Sequence, residues 1–224
     1  MRMRRKKHLD ERLIGVKDGL LFMENRSQYG RPTEDDFIKI DLSKTFANDN
    51  PVYLEIGCGK GGFIIEMALK NPDNNYIAVE KDDNVCVTAI ENAIKAGAKN
   101  LKFIICSAEN LPFMFDAFSF DGIYLNFSCP YPKKTYANRR LTNPRFLDIY
   151  RKLLKSHGKI IQKTDNVDFF EYSLSSYAFC GYKVSEVTYD LYDSEYRIGN
   201  IPTEYERKFV KDGIQICRLV ATPY

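Results

Sequence analysis

Glu55-Ile56-Gly57-Cys58-Gly59-Lys60-Gly61-Gly62 joins a short apolar run, Val52 to Ile56, to a stretch with helical spacing that opens at Gly62. Gly57, Gly59 and Gly62 match G-x-G-x-x-G. Glycines in this pattern let the backbone turn sharply from strand to helix and approach a ligand closely. Glu80 ends the next apolar run about 20 residues on, where an acid accepts hydrogen bonds from ribose hydroxyls. A strand, a glycine loop, a helix and an acid after strand two specify a nucleoside-binding α/β unit. They do not choose between a dinucleotide and S-adenosylmethionine (SAM).

Glu55 favours SAM. It lies two residues before Gly57, at the end of the first strand. A carboxylate there suits the ammonium of an amino-acid ligand, whereas a pyrophosphate would be repelled by it. Cys106-Ser107-Ala108-Glu109-Asn110-Leu111-Pro112 ends the third strand in the manner of an adenine-binding turn.

Outward from the loop, strand and helix patterns alternate. Gly62 to Lys70 reads as a helix stopped by Asn71-Pro72. Tyr76 to Glu80 is a strand. Asp82 to Ala96 is a helix with Gly97 past its end. Leu101 to Cys106 and Asp121 to Asn126 are strands. Asn143-Pro144 has the form of an N-cap followed by proline at the first helical position. That helix is expected to reach about Lys155 and close at Gly158. Lys159 to Lys163 is the fifth strand, and Asn166 to Cys180 a helix closed by Gly181. Two more strands are expected near Tyr182 to Asp190 and Ile214 to Thr222, paired antiparallel because no long crossover helix separates them. The expectation is an α/β, Rossmann-like fold with a mostly parallel seven-stranded sheet, helices on both faces and an antiparallel final strand. Residues 1 to 48 are polar, with breakers at Tyr29-Gly30-Arg31-Pro32 and Asn48-Asp49-Asn50-Pro51. They read as an arm with little regular structure.

The 224 residues carry a net charge of only +3, with 44% hydrophobic and 28% charged residues, an ordinary globular balance. Positive charge is nonetheless clustered. Met1 to Lys7 holds Arg2, Arg4, Arg5, Lys6 and Lys7, and a second group comprises Lys133, Lys134, Arg139, Arg140 and Arg145. Such clusters meet phosphates, or are simply solvated surface. The six cysteines form no CxxC and read as thiols in a reducing compartment. With only His8 and His157 beside them, no metal site is expected. No apolar run is long enough to span a membrane, and no apolar segment follows the basic start, so a cytoplasmic location is expected.

Tyr124-Leu125-Asn126-Phe127-Ser128-Cys129-Pro130-Tyr131-Pro132-Lys133-Lys134 resembles a motif of the bacterial tRNA (guanine-N7)-methyltransferases. So do Met1-Arg2-Met3-Arg4 and the loop Leu54 to Gly61. Lys163-Thr164-Asp165-Asn166 with Phe170-Glu171-Tyr172-Ser173-Leu174, and Gly199 to Phe209, agree as well. The resemblance implies a class I methyltransferase domain over 49–224 behind a basic arm over 1–48. It implies methyl transfer from SAM to N7 of a guanosine in the tRNA variable loop. It places Glu55, Gly57, Gly59, Glu80, residue 107 and residue 129 at the cofactor. Lys133, Asp165, Thr203, Glu204, Tyr205 and Glu206 would meet the guanosine. Thr135, Tyr136, Ala137, Asn138, Arg139 and Arg140 would lie against the RNA.

The chain departs from the family at two acids. Position 107 is Ser107, and the aspartate regarded as catalytic is Cys129, beside Tyr131 in place of tryptophan. An ordinary thiol is mostly neutral at pH 7 and supplies no fixed negative charge. Guanine N7 has a free lone pair and no proton to lose, so the reaction demands orientation and electrostatics more than a base. Asp165 and Glu206 remain available as carboxylates near the guanine, and Asp165 stands with Cys129 as a catalytic candidate. Other readings stay open. Asp165 and Asn166 suit a helix cap, and Thr203-x-x-Glu206 a capping box. A degenerate tRNA-binding paralogue, a methyltransferase with another substrate, and an NAD enzyme are the alternatives. A monomer and a homodimer both fit the sequence.

Overall fold

The computed structural model describes residues 7–24 and 33–224. The basic run Arg2 to Lys6, the Met1 to Arg4 match and the breaker Tyr29 to Pro32 lie outside the described residues. The chain divides into two compact units, Met1–Asp116 and Ala117–Tyr224.

The first unit contains α1 (Leu9–Gly15), β1 (Leu20–Met23), α2 (Leu42–Phe46), β2 (Val52–Ile56), α3 (Gly62–Lys70), β3 (Asn75–Glu80), α4 (Asp83–Ala96), β4 (Leu101–Ile105) and α5 (Leu111–Met114). Its strands pair in parallel in the order β1-β4-β3-β2. β3 is buried along five of its six residues, the near-continuous apolar run typical of a covered parallel strand. The Asp82 carboxylate caps α4 by accepting from the Asn84 amide, and Gly97 ends it at φ +75°. The buried stripe of α4 is Cys86, Val87, Ala89, Ile90 and Ala93.

The arm expected to lack regular structure carries α1, β1 and α2. β1 pairs with β4, with Leu20 opposite Phe103 and Met23 opposite Ile105. Leu9 and Leu13 are buried on α1. The Arg12 guanidinium grips Glu91 of α4 through Nε (2.7 Å) and Nη2 (2.5 Å). β1 is only four residues long and half-buried, so its pattern is too brief to declare a strand.

The second unit contains β5 (Phe120–Asn126), α6 (Pro144–Leu153), β6 (Leu154–Thr164), α7 (Val167–Phe179), β7 (Tyr182–Thr188), α8 (Glu204–Lys211) and β8 (Cys217–Pro223). Its strand order is β5-β6-β8-β7, with β5 and β6 parallel and β8 antiparallel to both its neighbours. The antiparallel final strand is as expected. Among the described residues the strands number eight, one more than expected, and the extra one is β1.

Asn143 caps α6 and Pro144 begins it, as read. The helix falls two residues short of the expected end near Lys155, however, and Gly158 does not close it. It stops at Leu153, and β6 starts at once. The partner of β5 shifts from Leu154 at Phe120 to Lys159 at Gly122, so 155–158 form an irregularity in the ladder. A Cβ at Gly158 would lie 2.9 Å from Leu154 Cδ2 and 3.1 Å from the Phe120 carbonyl oxygen. The glycine therefore serves close strand approach, not helix closure. Among the described residues, no helix is long and apolar enough to cross a membrane.

Candidate cofactor and substrate sites

The C-terminal edge of the first unit's sheet gathers the loop and three acids. Glu55, near the end of β2, is buried. Glu80 ends β3 and braces the turns around it. Its Oε2 accepts from the Gly59 amide (3.2 Å), and its Oε1 from the amides of Lys81 (2.8 Å) and Asp82 (3.0 Å). Gly57 and Gly59 adopt φ +81° and +57°, and a Cβ on either would meet nothing within 4 Å. These two glycines thus line an open cradle in a backbone conformation that side chains disfavour.

Gly61 has a different duty. At φ +80°, a Cβ there would lie 3.1 Å from Ile65 Cδ1 and 3.2 Å from Ala89 Cβ. Close packing of the loop on α4 therefore falls on Gly61, whereas a Cβ at Gly62 has open space. The Cys58 thiol hydrogen-bonds with Cys86 on the same helix. That bond and burial hold its pKa well above the ordinary value, so it stays a neutral packing group.

Ser107 follows β4. Its amide donates to Glu24 Oε2 (3.1 Å), and its hydroxyl donates to Glu109 Oε1 (3.3 Å). Glu24 follows β1 and takes a second bond from Asn110 Nδ2 at Oε1 (3.0 Å). Nothing in the sequence spacing singled out Glu24, because its partners are distant in the chain.

In the second unit, the segment after β5 bends sharply around Cys129. Phe127 and Tyr131 sit at φ 51° and 41°, the left-handed region that bulky residues rarely occupy. Cys129 is exposed between them. Arg140 secures this loop. Its Nε donates to the Pro130 carbonyl (2.8 Å), its Nη2 donates to the Tyr131 carbonyl (3.0 Å), and the guanidinium lies 4.2 Å from the Tyr172 ring centroid. Lys133, Lys134, Thr135, Tyr136, Asn138 and Arg139 are exposed and Ala137 is half-buried, on a turn of 3-10 helix with Arg139 over Tyr136.

β6 ends at Thr164. Asp165 is half-buried and makes no hydrogen bond among the described residues, while Asn166 caps α7 by accepting from the Phe169 amide (2.8 Å). The cap is thus Asn166 alone. At the start of α8 the capping box forms, with Thr203 Oγ1 accepting from the Glu206 amide (2.9 Å) and Glu206 Oε2 from the Thr203 amide (3.2 Å). Glu206 also receives Lys163 Nζ (2.6 Å), Asn200 Nδ2 (2.6 Å) and the Tyr192 hydroxyl (3.0 Å). Four donors fill the acceptor capacity of a carboxylate. Glu206, expected among the substrate contacts, is therefore a fully buried tie within the protein. Of the four residues Thr203 to Glu206, Glu204 and Tyr205 are exposed. Tyr205 stacks on Phe209, which in turn contacts Phe127. Among the described residues no three His, Cys, Asp or Glu side chains converge as metal ligands would.

Comparison with known proteins places this geometry. A family model described as a putative methyltransferase matches residues 49–219. A tRNA (guanine-N(7)-)-methyltransferase of Listeria monocytogenes serotype 4b is 48% identical over 80% of this chain and 83% of its own. A protein of the same name from Streptococcus equi subsp. zooepidemicus is 40% identical over 99% of this chain and all of its own. Among solved structures, the 16S rRNA methyltransferase KamB superposes with TM-score 0.61 at 14% identity, covering 90% of this chain and 98% of that one. A SAM-dependent methyltransferase from Aquifex aeolicus gives 0.54 at 13% identity, covering 98% of this chain and all of that one. At that identity the likeness is one of fold.

Proposed function

The chain belongs to the tRNA (guanine-N(7)-)-methyltransferase family, and on that premise we propose that it transfers a methyl group from SAM to N7 of a guanosine in the tRNA variable loop. The observation that carries this reading is the 40% identity over 99% of the chain to an enzyme of that name, because it spans both units.

The residues of the first unit fit SAM. Gly57 and Gly59 leave room for a ligand against bare backbone. Glu55 is a buried carboxyl group at a strand end, suited to the ammonium of the amino-acid portion. Glu80 is held rigidly by three amides, with acceptor capacity left for a ribose hydroxyl. SAM supplies a methyl group on a positively charged sulfur.

In the second unit, Lys133, Asp165, Glu204 and Tyr205 are the substrate-facing candidates, with Thr203 buried behind them as the cap of α8. Asp165 offers a carboxylate for the N1 and N2 hydrogens of guanine. It also favours positive charge developing on the base. No proton leaves N7, so Cys129 is not needed as a base. Lys134 and Arg139, with Thr135, Tyr136, Ala137 and Asn138 between them, form an exposed strip suited to the RNA backbone.

The test is incorporation of labelled methyl from SAM into tRNA that lacks N7-methylguanosine. Incorporation at the variable-loop guanosine is expected, with loss in Asp165→Ala. Methylation elsewhere in the RNA, or tRNA binding without methylation, would overturn the reading.

A further inference from the structure

The first unit's sheet presents its strand ends in the order β2, β3, β4, β1, and each carries a polar group at its C-terminal edge. Glu55 is near the end of β2, Glu80 on β3, the Ser107 turn after β4 and Glu24 after β1. Parallel strands lie about 4.8 Å apart, so this row spans about 14 Å. SAM in extended form carries its donors in one sequence, first an ammonium, then a ribose diol, then the 6-amino group of adenine. Glu55 meets the first requirement and Glu80 the second. The third donor falls at the β4 and β1 ends.

Ser107 brings no anion to that end, and its hydroxyl is turned to Glu109. Glu24 does bring one. Its amide donates to the Ile105 carbonyl (2.8 Å), continuing the β1–β4 ladder, and its carboxylate is fixed by the Ser107 amide and Asn110 Nδ2. Each oxygen has accepted one hydrogen bond among the described residues and has room for another.

Resting on the reading of SAM as cofactor, we propose that Glu24 is the acceptor for the purine 6-amino group, a carboxylate delivered from β1 in place of one at position 107. A carboxylate only accepts, so it pairs with the amine of adenine. It repels the 6-oxygen of hypoxanthine, which is an acceptor too. Glu24 is thus a specificity residue for the base.

The experiment is calorimetric titration of the full chain with S-adenosylhomocysteine and with its 6-oxo counterpart, S-inosylhomocysteine. Wild type is expected to prefer the adenine ligand by on the order of 10-fold or more, the effect of leaving a half-buried acceptor facing another acceptor. Glu24→Gln, whose amide both donates and accepts, is expected to bring the two affinities within about 3-fold of each other. A merely structural Glu24 would weaken both ligands alike and leave their ratio unchanged, and that result overturns the assignment. So does a wild type that binds both ligands equally. A wild type that binds neither overturns the SAM reading itself, and the assignment with it.

Discussion

Lys163 Nζ lies 2.6 Å from Glu206 Oε2, with both side chains sealed from water. The same ammonium donates to the Ile201 carbonyl (2.9 Å) and to Asn200 Oδ1 (3.1 Å). The C-terminal end of β6, just before Asp165, is thereby tied to the segment that leads into α8. Removing one partner of such a pair strands a buried charge, at a cost of about 3–5 kcal/mol. Lys163→Met is expected to lower the denaturation midpoint by that measure. Adding Glu206→Gln, which removes the stranded charge but still accepts from the Thr203 amide, is expected to restore part of the loss. A double variant no more stable than Lys163→Met would contradict this.

Arg140 and Arg139 are neighbours with different expected effects. Arg139→Ala and Lys133→Ala are each expected to reduce the salt dependence of tRNA binding by about one counterion. Arg140→Ala frees the Pro130 and Tyr131 carbonyls and loosens the loop around Cys129. It is expected to reduce kcat by about 10-fold with little change in salt slope. Binding measured over a salt series, beside single-turnover rates, separates the two.

Glu80 braces the glycine loop and is proposed also to face the cofactor. Glu80→Ala leaves the amides of Gly59, Lys81 and Asp82 without their acceptor. A charge-assisted bond is worth about 1.5–3 kcal/mol, so S-adenosylhomocysteine is expected to bind about 10- to 100-fold more weakly. An affinity unchanged by the substitution would remove Glu80 from the cofactor site.

Cys129 stands exposed where the family has aspartate. Cys129→Asp is expected to raise kcat, by up to about 10-fold, through added negative charge beside a base that becomes positive. Equal rates for the two proteins, under single-turnover conditions, would show that charge at 129 is immaterial.

Burial, followed by the neighbouring Glu206 charge, pushes the Tyr192 phenol up to about 12. A phenol raised above its unfolded value of about 10 holds its stabilising contribution in full below pH 10. The contribution is lost as pH climbs towards 12, because the unfolded chain releases the proton first. Stability is expected to fall across that window, and Tyr192→Phe to flatten the fall, as read by denaturant midpoints at stepped pH.

Much of the fold was legible because its signals are local. The strand–glycine–helix passage at Glu55 to Gly62, the Asn143-Pro144 start of α6 and the Thr203-x-x-Glu206 box are each set by neighbours within a few residues. What stayed hidden depends on partners far along the chain. Four residues of β1 declare nothing until β4 is beside them. Gly158 looks like a helix stop until the Phe120 carbonyl is seen against it. Glu206 reads as a capping-box acid or a guanosine contact unless Lys163 and Asn200 are known to surround it. The glycine loop was readable as a cradle, but the sharing of its tasks was not, since only Ala89 on α4 shows that Gly61 bears the packing.

β1 also sets an order of events in synthesis. Glu24 and Ser107 are 83 positions apart. At about 5–20 residues per second, the strand waits about 4–17 seconds before its partner leaves the ribosome. By then β2 and β3 have emerged, and a parallel pair of such long range closes slowly. The nascent cofactor cradle is therefore expected to build outward from the glycine loop, with the end proposed to distinguish one base from another installed last.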